Sequence, residues 1–215
     1  MPRPKKTPQQ VTEMRERILH AAMGLLEKEG IAGLSIRKIG ERLGLSHMVL
    51  YTYFKNRNAL IETLKEQWIE RLEAQQKTDL QAAETGDALV VLREALARFA
   101  QLAHNHPQIY RLAWVHHDAD ETVGKRSQYT DKEIDHLVHL IQLGIEHGQC
   151  AERDPRLAAA MALCLVNGPH VLYHTERITD KALYTQLESE ALQAAVDYLA
   201  GQRLSTDKPV FCGTH

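Results

Sequence analysis

A chain of 215 residues, 44% hydrophobic and 25% charged, has ordinary globular composition and is long enough for one large domain or two small ones. That composition excludes disordered and fibrous classes for most of the chain. The formal net charge of −2, taken whole, speaks against a basic nucleic-acid binder.

The charge is unevenly placed. Residues 1–60 hold 11 Lys and Arg against 5 Asp and Glu, whereas residues 61–215 hold 15 against 23. The first block is therefore +6 and the second −8. Such a split points to a nucleic-acid or membrane contact confined to one end. The longest purely apolar run is ten residues, 157–166. A membrane-spanning helix needs about 20, so none is expected. The basic, proline-bearing start has no apolar stretch and does not read as a signal peptide. Cys150, Cys164 and Cys212 are odd in number and form no CxxC, so neither a disulfide scaffold nor a zinc module is indicated. A reducing cytoplasm is the expected compartment.

Nearly every segment reads with a period of 3.6, which predicts an all-α fold. Residues 1–8 read as a basic arm. A first helix is predicted over 11–29, with Ile18, Ala22, Leu25 and Leu26 on one face and Gly30 as its exit. A short helix over 35–43 follows, capped by Ser35 and ended by Gly44. Ser46 caps a third helix over 47–54, and Asn56 caps a fourth over 57–76. Two short helices joined by a tight glycine-bearing turn have the form of a helix-turn-helix. Residues 77–87 are polar and read as a connection or a frayed helix end. Further helices are predicted over 87–103, 107–116, 131–147, 155–173 and 181–200, with Pro107 and Pro155 in first turns. The tail 202–215 lacks periodicity. Asn167–Gly168–Pro169 is expected to kink or interrupt its helix.

The stretch LSIRKIGERLGLSHMVLYTYFKNRNALIETL, residues 34–64, resembles the DNA-binding domain of tetracycline-repressor-like (TetR family) regulators. The resemblance rests on Ser35, Ile39, Gly40, Gly44, Leu45–Ser46, Leu50–Tyr51, Tyr53, Phe54, Arg57 and Ala59–Leu60. It covers residues 11–64 well, because RERILHAAMGLLEKEGIAGLS is similar to the family's first helix and exit turn. It implies a helix-turn-helix domain over 1–60 and a helical ligand-binding and dimerisation domain over 61–215. It also implies a DNA-binding set of Ser35, Arg37, Ser46, His47, Met48, Val49, Tyr51, Thr52, Tyr53 and Arg57. Within that set His47, Met48 and Thr52 are base-edge candidates, and Val49 would meet a thymine methyl. Tyr51, Tyr53 and Arg57 would reach phosphates, Arg57 beside a positive helix start. Arg37 would reach a base or a phosphate, and Arg3, Lys5 and Lys6 a neighbouring minor groove. Two positions depart from the family. Met48 stands where a small residue is common, and Arg57 where lysine is usual. Read without the family, the same tyrosines are equally suited to core packing, and residues 3–6 to a solvated tail.

In the second block, HPQIYRLAW (106–114) and GIEHGQCAERDPRLAAAMALCLVNG (144–168) resemble family segments more weakly. Ile134, Leu137, Val138, Ile141 and Ile145 make an apolar stripe, and LAAAMALCLV (157–166) is apolar nearly all round. A helix of the latter kind is buried on more than one side. The resemblance implies a homodimer seam there; a central core helix of a monomer is the other reading. Tyr110, Trp114, His117, Met161, Cys164, His170 and Tyr173 mix apolar bulk with polar handles and are candidate ligand-binding residues, each equally at home in a core.

Twelve histidines are many, and His136/His139, His170/His174 and His147/Cys150 stand at helical spacings that could place two metal or haem donors on one face. They form no closed four-ligand pattern, so no metal site and no cofactor is assigned, and a metal- or haem-responsive regulator is kept as an alternative. Histidines near a dimer seam could also confer pH sensitivity. No nucleophile elbow, phosphate-cradling glycine loop or HExxH is found, and Asp118, Asp120 and Glu121 read as a solvated loop. An enzyme is therefore not expected. The reading as a whole is an all-α, homodimeric DNA-binding regulator of a near-palindromic operator. Its most direct form is a repressor released by a small-molecule effector, and an activator is the variant form.

Overall fold

A computed structural model describes residues 7–115 and 123–201, with only the helical backbone of 123–129. The expectations for Arg3, Lys5, Lys6, His117, the carboxylates at 118–121, the tail and Cys212 lie outside these residues.

Among the described residues every regular element is helical, as the 3.6 period predicts. Helix α1 is Pro8–Gly33, α2 Ile36–Leu43, α3 His47–Tyr51 and α4 Arg57–Thr85. Then come α5 (Ala88–Asn105), α6 (Pro107–Tyr110) with a π-helical turn at Arg111–Val115, α7 (Val123–Glu146), α8 (Pro155–His174) and α9 (Lys181–Ala200).

Local chemistry sets most of these bounds. Thr7 and Gln10 form a reciprocal capping box, so α1 starts three residues before its first periodic position. Gly30 has φ +70° and breaks α1 locally, yet the helix resumes to Gly33. The side chains of Ser35, Ser46 and Asn56 accept the N–H of Lys38, Val49 and Ala59, so all three predicted caps are in place. Helix α3 stops three residues short of the prediction, because Thr52–Phe54 close onto Val49 and Leu50 in tight turns.

Three further expectations are overturned. Residues 77–85 are the last turns of α4 rather than a connection. Their polarity misleads because Asp79 is buried as an ion-pair partner, alongside buried Ala83. Helix α7 begins at Val123, eight residues before its predicted start at 131. Helix α8 is not interrupted at Pro169, which is buried and takes its own N–H out of the ladder. In length and hydropathy alone, α8 is the one described helix that could cross a membrane, with a mean hydropathy of 1.2 over 18 residues. Its buried side instead packs on α7 and α9.

Two cores result. One gathers Ile18, Ala22 and Leu26 of α1, Ile39 of α2, Leu50 of α3, Phe54, and Leu60, Ile61 and Leu64 of α4. Ile109 and Leu112 reach into it from α6 and the π-helical turn. The other joins Leu92, Leu96 and Phe99 of α5 with Leu137, Leu140 and Ile141 of α7, the alanines of α8, and Ala195 and Leu199 of α9. Each buried Leu, Ile or Phe side chain contributes about 1.5–3 kcal/mol, and each alanine less. Helix α4 serves both: its first turns belong to the first core and Ala83 to the second. A cut at residue 60 falls inside it.

Candidate nucleic-acid interface and internal cavity

The α2–α3 unit is built around a close approach. The N–H of Leu45 donates to the Gly40 carbonyl at 2.9 Å. A Cβ on Gly40 would stand 2.7 Å from the Leu45 carbonyl oxygen, so only glycine fits. Gly44, at φ +65°, reverses the chain, and its N–H closes onto Glu41 and Gly40. This turn holds α3 at the surface with its outer face bare.

The predicted DNA-binding residues divide into three groups. His47, Met48, Tyr51 and Thr52 lie together on the exposed side of α3, with Met48 66% exposed and the His47 and Tyr51 rings edge to face. Exposed Arg37 of α2 stands beside them, in an ion pair with Glu41 at 2.9 Å. Ser35 and Ser46 use their oxygens as cap acceptors, which leaves each hydroxyl hydrogen to donate. Val49 is half-buried against the first core, and Tyr53 is buried within it.

Arg57 is turned toward its own chain. Its Nε donates to the Leu34 carbonyl at 2.8 Å and its Nη2 to the Ile31 carbonyl at 2.5 Å. It ties the start of α4 to the α1–α2 turn, and Nη1 is what remains for a phosphate. Arg15, passed over in the sequence, does a related job. Its Nη1 donates to the Tyr53 carbonyl at 2.7 Å while its guanidinium lies over the Phe54 ring.

Of the predicted ligand-binding residues, Tyr110, Trp114, His170 and Tyr173 join one aromatic cluster through Phe99 and Tyr184. Tyr110 and His170 are fully buried in an aromatic cluster. The Tyr110 hydroxyl donates to Asn167 Oδ1 at 2.6 Å, and the Tyr184 hydroxyl lies 2.8 Å from His170 Nδ1. Burial lifts both phenols and pushes His170 down to about 4. Tyr173 stacks on Tyr184, while Met161 and Cys164 face outward from α8. Of the six that are described, Trp114 lines the cavity between α4, α5 and α7.

That cavity, about 370 Å³, lies between α4, α5, α7 and the π-helical turn. Trp68, Leu72, Phe99, Leu102 and Trp114 make its apolar wall, with Phe99 and Trp114 edge to face at 5.0 Å. Its polar end was missed in the sequence, because its parts are far apart in the chain. Asp79 takes an ion pair from Arg98, the Nε2–H of His136 at 3.2 Å and the Gln75 amide at 3.0 Å. Beside it Glu133 is 7% exposed, and its Oε2 accepts from the Gln76 amide at 3.2 Å. Burial lifts Glu133 to about 7 and holds His136 below its ordinary value. The only clue was the i, i+3 spacing of Glu133 and His136.

Of the histidines considered for metal or haem, His136 is bonded to Asp79, His170 to Tyr184, and His174 Nε2 to the Ala103 carbonyl at 3.1 Å.

The family model described as bacterial regulatory proteins of the tetR family matches residues 18–64. The chain is 43% identical over 49 residues to the class A tetracycline repressor protein from transposon 1721 of Escherichia coli. That match covers 23% of each chain, so less than a quarter of the relative's length is spanned. Over the whole fold, the chain is similar to a TetR-family transcriptional regulator from Agrobacterium tumefaciens, with a TM-score of 0.71 at 15% identity. There 88% of this chain and 99% of the other are covered. It is also similar to the transcriptional regulator FadR of Bacillus subtilis, solved in complex with stearoyl-CoA. The TM-score is 0.67 at 18% identity, with 86% and 98% covered.

Proposed function

From a chain that belongs to the TetR family of bacterial regulatory proteins, we propose a homodimeric, cytoplasmic DNA-binding repressor that a small-molecule effector releases from a near-palindromic operator. The observation that carries the reading is the bare outer face of α3, with His47, Met48, Tyr51 and Thr52 exposed within the matched segment 18–64. Helix α3 enters the major groove, and the +6 block meets the phosphates.

The dimer forms through α8 and α9. Leu157, Met161, Cys164, Gly168 and Leu172 recur along one side of α8, and Leu183 of α9 adds to it. Leu157 is 60% exposed, and nothing lies within 4 Å of a Cβ placed on Gly168. A second copy covers that stripe. The effector occupies the 370 Å³ cavity, a size suited to a small molecule. The acyl ligand of FadR, a protein of this fold, supports a helical second domain that admits ligands. Residues 1–60 and 61–215 are the two working parts, joined by α4, and the effector favours a state with the two recognition helices wrongly spaced.

The test is binding of the purified protein to oligonucleotides selected from a random duplex pool, followed by fluorescence anisotropy across a salt series. Log affinity should fall linearly with log salt, on a two-fold related site. Duplex affinity that does not respond to salt defeats the reading.

A further inference from the structure

The polar end of the cavity has more acceptors than donors. Glu133 Oε2 has the Gln76 amide, but among the described residues nothing donates to its other oxygen. His136 spends its Nε2–H on Asp79, so its Nδ1 is an acceptor, and that buried atom has no partner. A buried acceptor without a donor costs free energy, and a carboxylate without a counter-cation costs more.

The charged groups around Glu133 do not supply the missing cation. From α5, Arg98 is held by Asp79. From α7, Lys132 is held by Glu73 of α4. Arg71 is exposed at the cavity's edge, and His106 at the same edge lies 3.3 Å from Glu27. In the same lining, Trp68, Phe99 and Trp114 present aromatic surface, which attracts cations as well as apolar bodies.

Resting on the effector-cavity reading above, we propose that this cavity selects an effector with a flat apolar body and one protonated amine, its ammonium seated against Glu133. An N–H donor of the ammonium answers the unpaired Glu133 oxygen, and its charge keeps the carboxylate ionised. An anionic head is disfavoured at the same place, because Asp79 and Glu133 both face it. Since Glu133 sits near 7 in the empty cavity, the amine expels its proton to solvent on binding.

The probes are 1-naphthylmethylamine, 1-naphthalenemethanol and 1-naphthoic acid, one apolar body with a cationic, a neutral and an anionic head. Titration calorimetry on the full-length protein gives each affinity at pH 6 and pH 8. At pH 8 the amine should bind at least about tenfold tighter than the alcohol, with the acid weakest. From pH 8 to pH 6 the amine should weaken about tenfold while the alcohol stays level. Burial holds His136 below its ordinary value, and the variant Glu133→Gln decides whether Glu133 is the group that changes state. Glu133→Gln should remove both the amine's advantage and its pH dependence while leaving the alcohol unchanged, which separates Glu133 from His106. Independently of any variant, wild-type amine enthalpies at pH 7 in phosphate and in Tris should report release of about half a proton. Tightest binding by the alcohol or the acid, an advantage that survives in Glu133→Gln, or the absence of proton release overturns the charge preference alone. Binding by none of the three overturns the cavity reading and this proposal together.

Discussion

Arg57 separates two physical roles that a sequence pattern cannot. As a phosphate contact, it would leave stability alone and affect only DNA binding. In the fold it clamps two carbonyls, Leu34 at 2.8 Å and Ile31 at 2.5 Å. A hydrogen bond from a charged donor contributes about 1.5–3 kcal/mol when its loss leaves a buried acceptor unpaired. Leu34 is 1% exposed, so its carbonyl takes close to the full loss. The Ile31 carbonyl keeps the Leu34 N–H at 3.3 Å and lies nearer solvent, so it loses less. Arg57→Ala should therefore destabilise the first core by about 2–4 kcal/mol, a large share of a domain's usual margin. An ammonium reaches one carbonyl at a time, so Arg57→Lys should recover about half of that. Urea denaturation followed by circular dichroism measures both variants, and duplex titration at low denaturant measures binding separately. An Arg57→Ala protein with the wild-type urea midpoint, and a salt slope reduced by about one, would refute the clamp and return Arg57 to the phosphate.

Gly40→Ala pushes a methyl to 2.7 Å from the Leu45 carbonyl oxygen and 3.2 Å from Leu50 Cδ1. It should cost about 1–3 kcal/mol and misplace α3, read as a lower melting temperature with lost duplex binding. Met161→Glu with Leu172→Glu puts charge on the exposed stripe of α8. Sedimentation at micromolar concentration should then find monomer where the parent is dimeric, and a persistent dimer would place the seam elsewhere. Glu133→Gln also tests burial without any ligand. A carboxyl lifted from 4.5 to about 7 gives stability that is complete below 4.5 and is lost as pH rises through 7. The urea stability of the wild type relative to this variant should fall by at most about 3 kcal/mol between pH 4.5 and pH 8, and a difference that is level with pH would show Glu133 to be well solvated.

Features written in neighbouring residues were legible. Ser35, Ser46 and Asn56 each cap the helix predicted to follow, and Gly44 takes the left-handed turn its place between two short helices requires. Features that depend on pairing across the chain were not. Asp79 reads as solvated until Arg98 and His136, 19 and 57 residues away, are brought to it. For that reason 77–85 passed for a linker and the polar end of the cavity went unseen. Tyr51 and Tyr53 carry the same ring two residues apart, yet one is at the surface and the other in the core, a difference fixed by the tight turns after α3. Charge placed a boundary near residue 60, but α4 crosses it and continues to Thr85. The extension has a mechanical consequence for the proposed coupling. Arg57 and Asp79 are about 33 Å apart along one helix at 1.5 Å per residue. A tilt of roughly 5° driven by an effector at the Asp79 end would carry the Arg57 end by about 3 Å. Because Arg57 is bonded to the α1–α2 turn, that movement would pass to the recognition unit rather than being lost in a flexible joint. The clamp that ties Arg57 to its own chain is what would let the cavity reach the DNA-binding face.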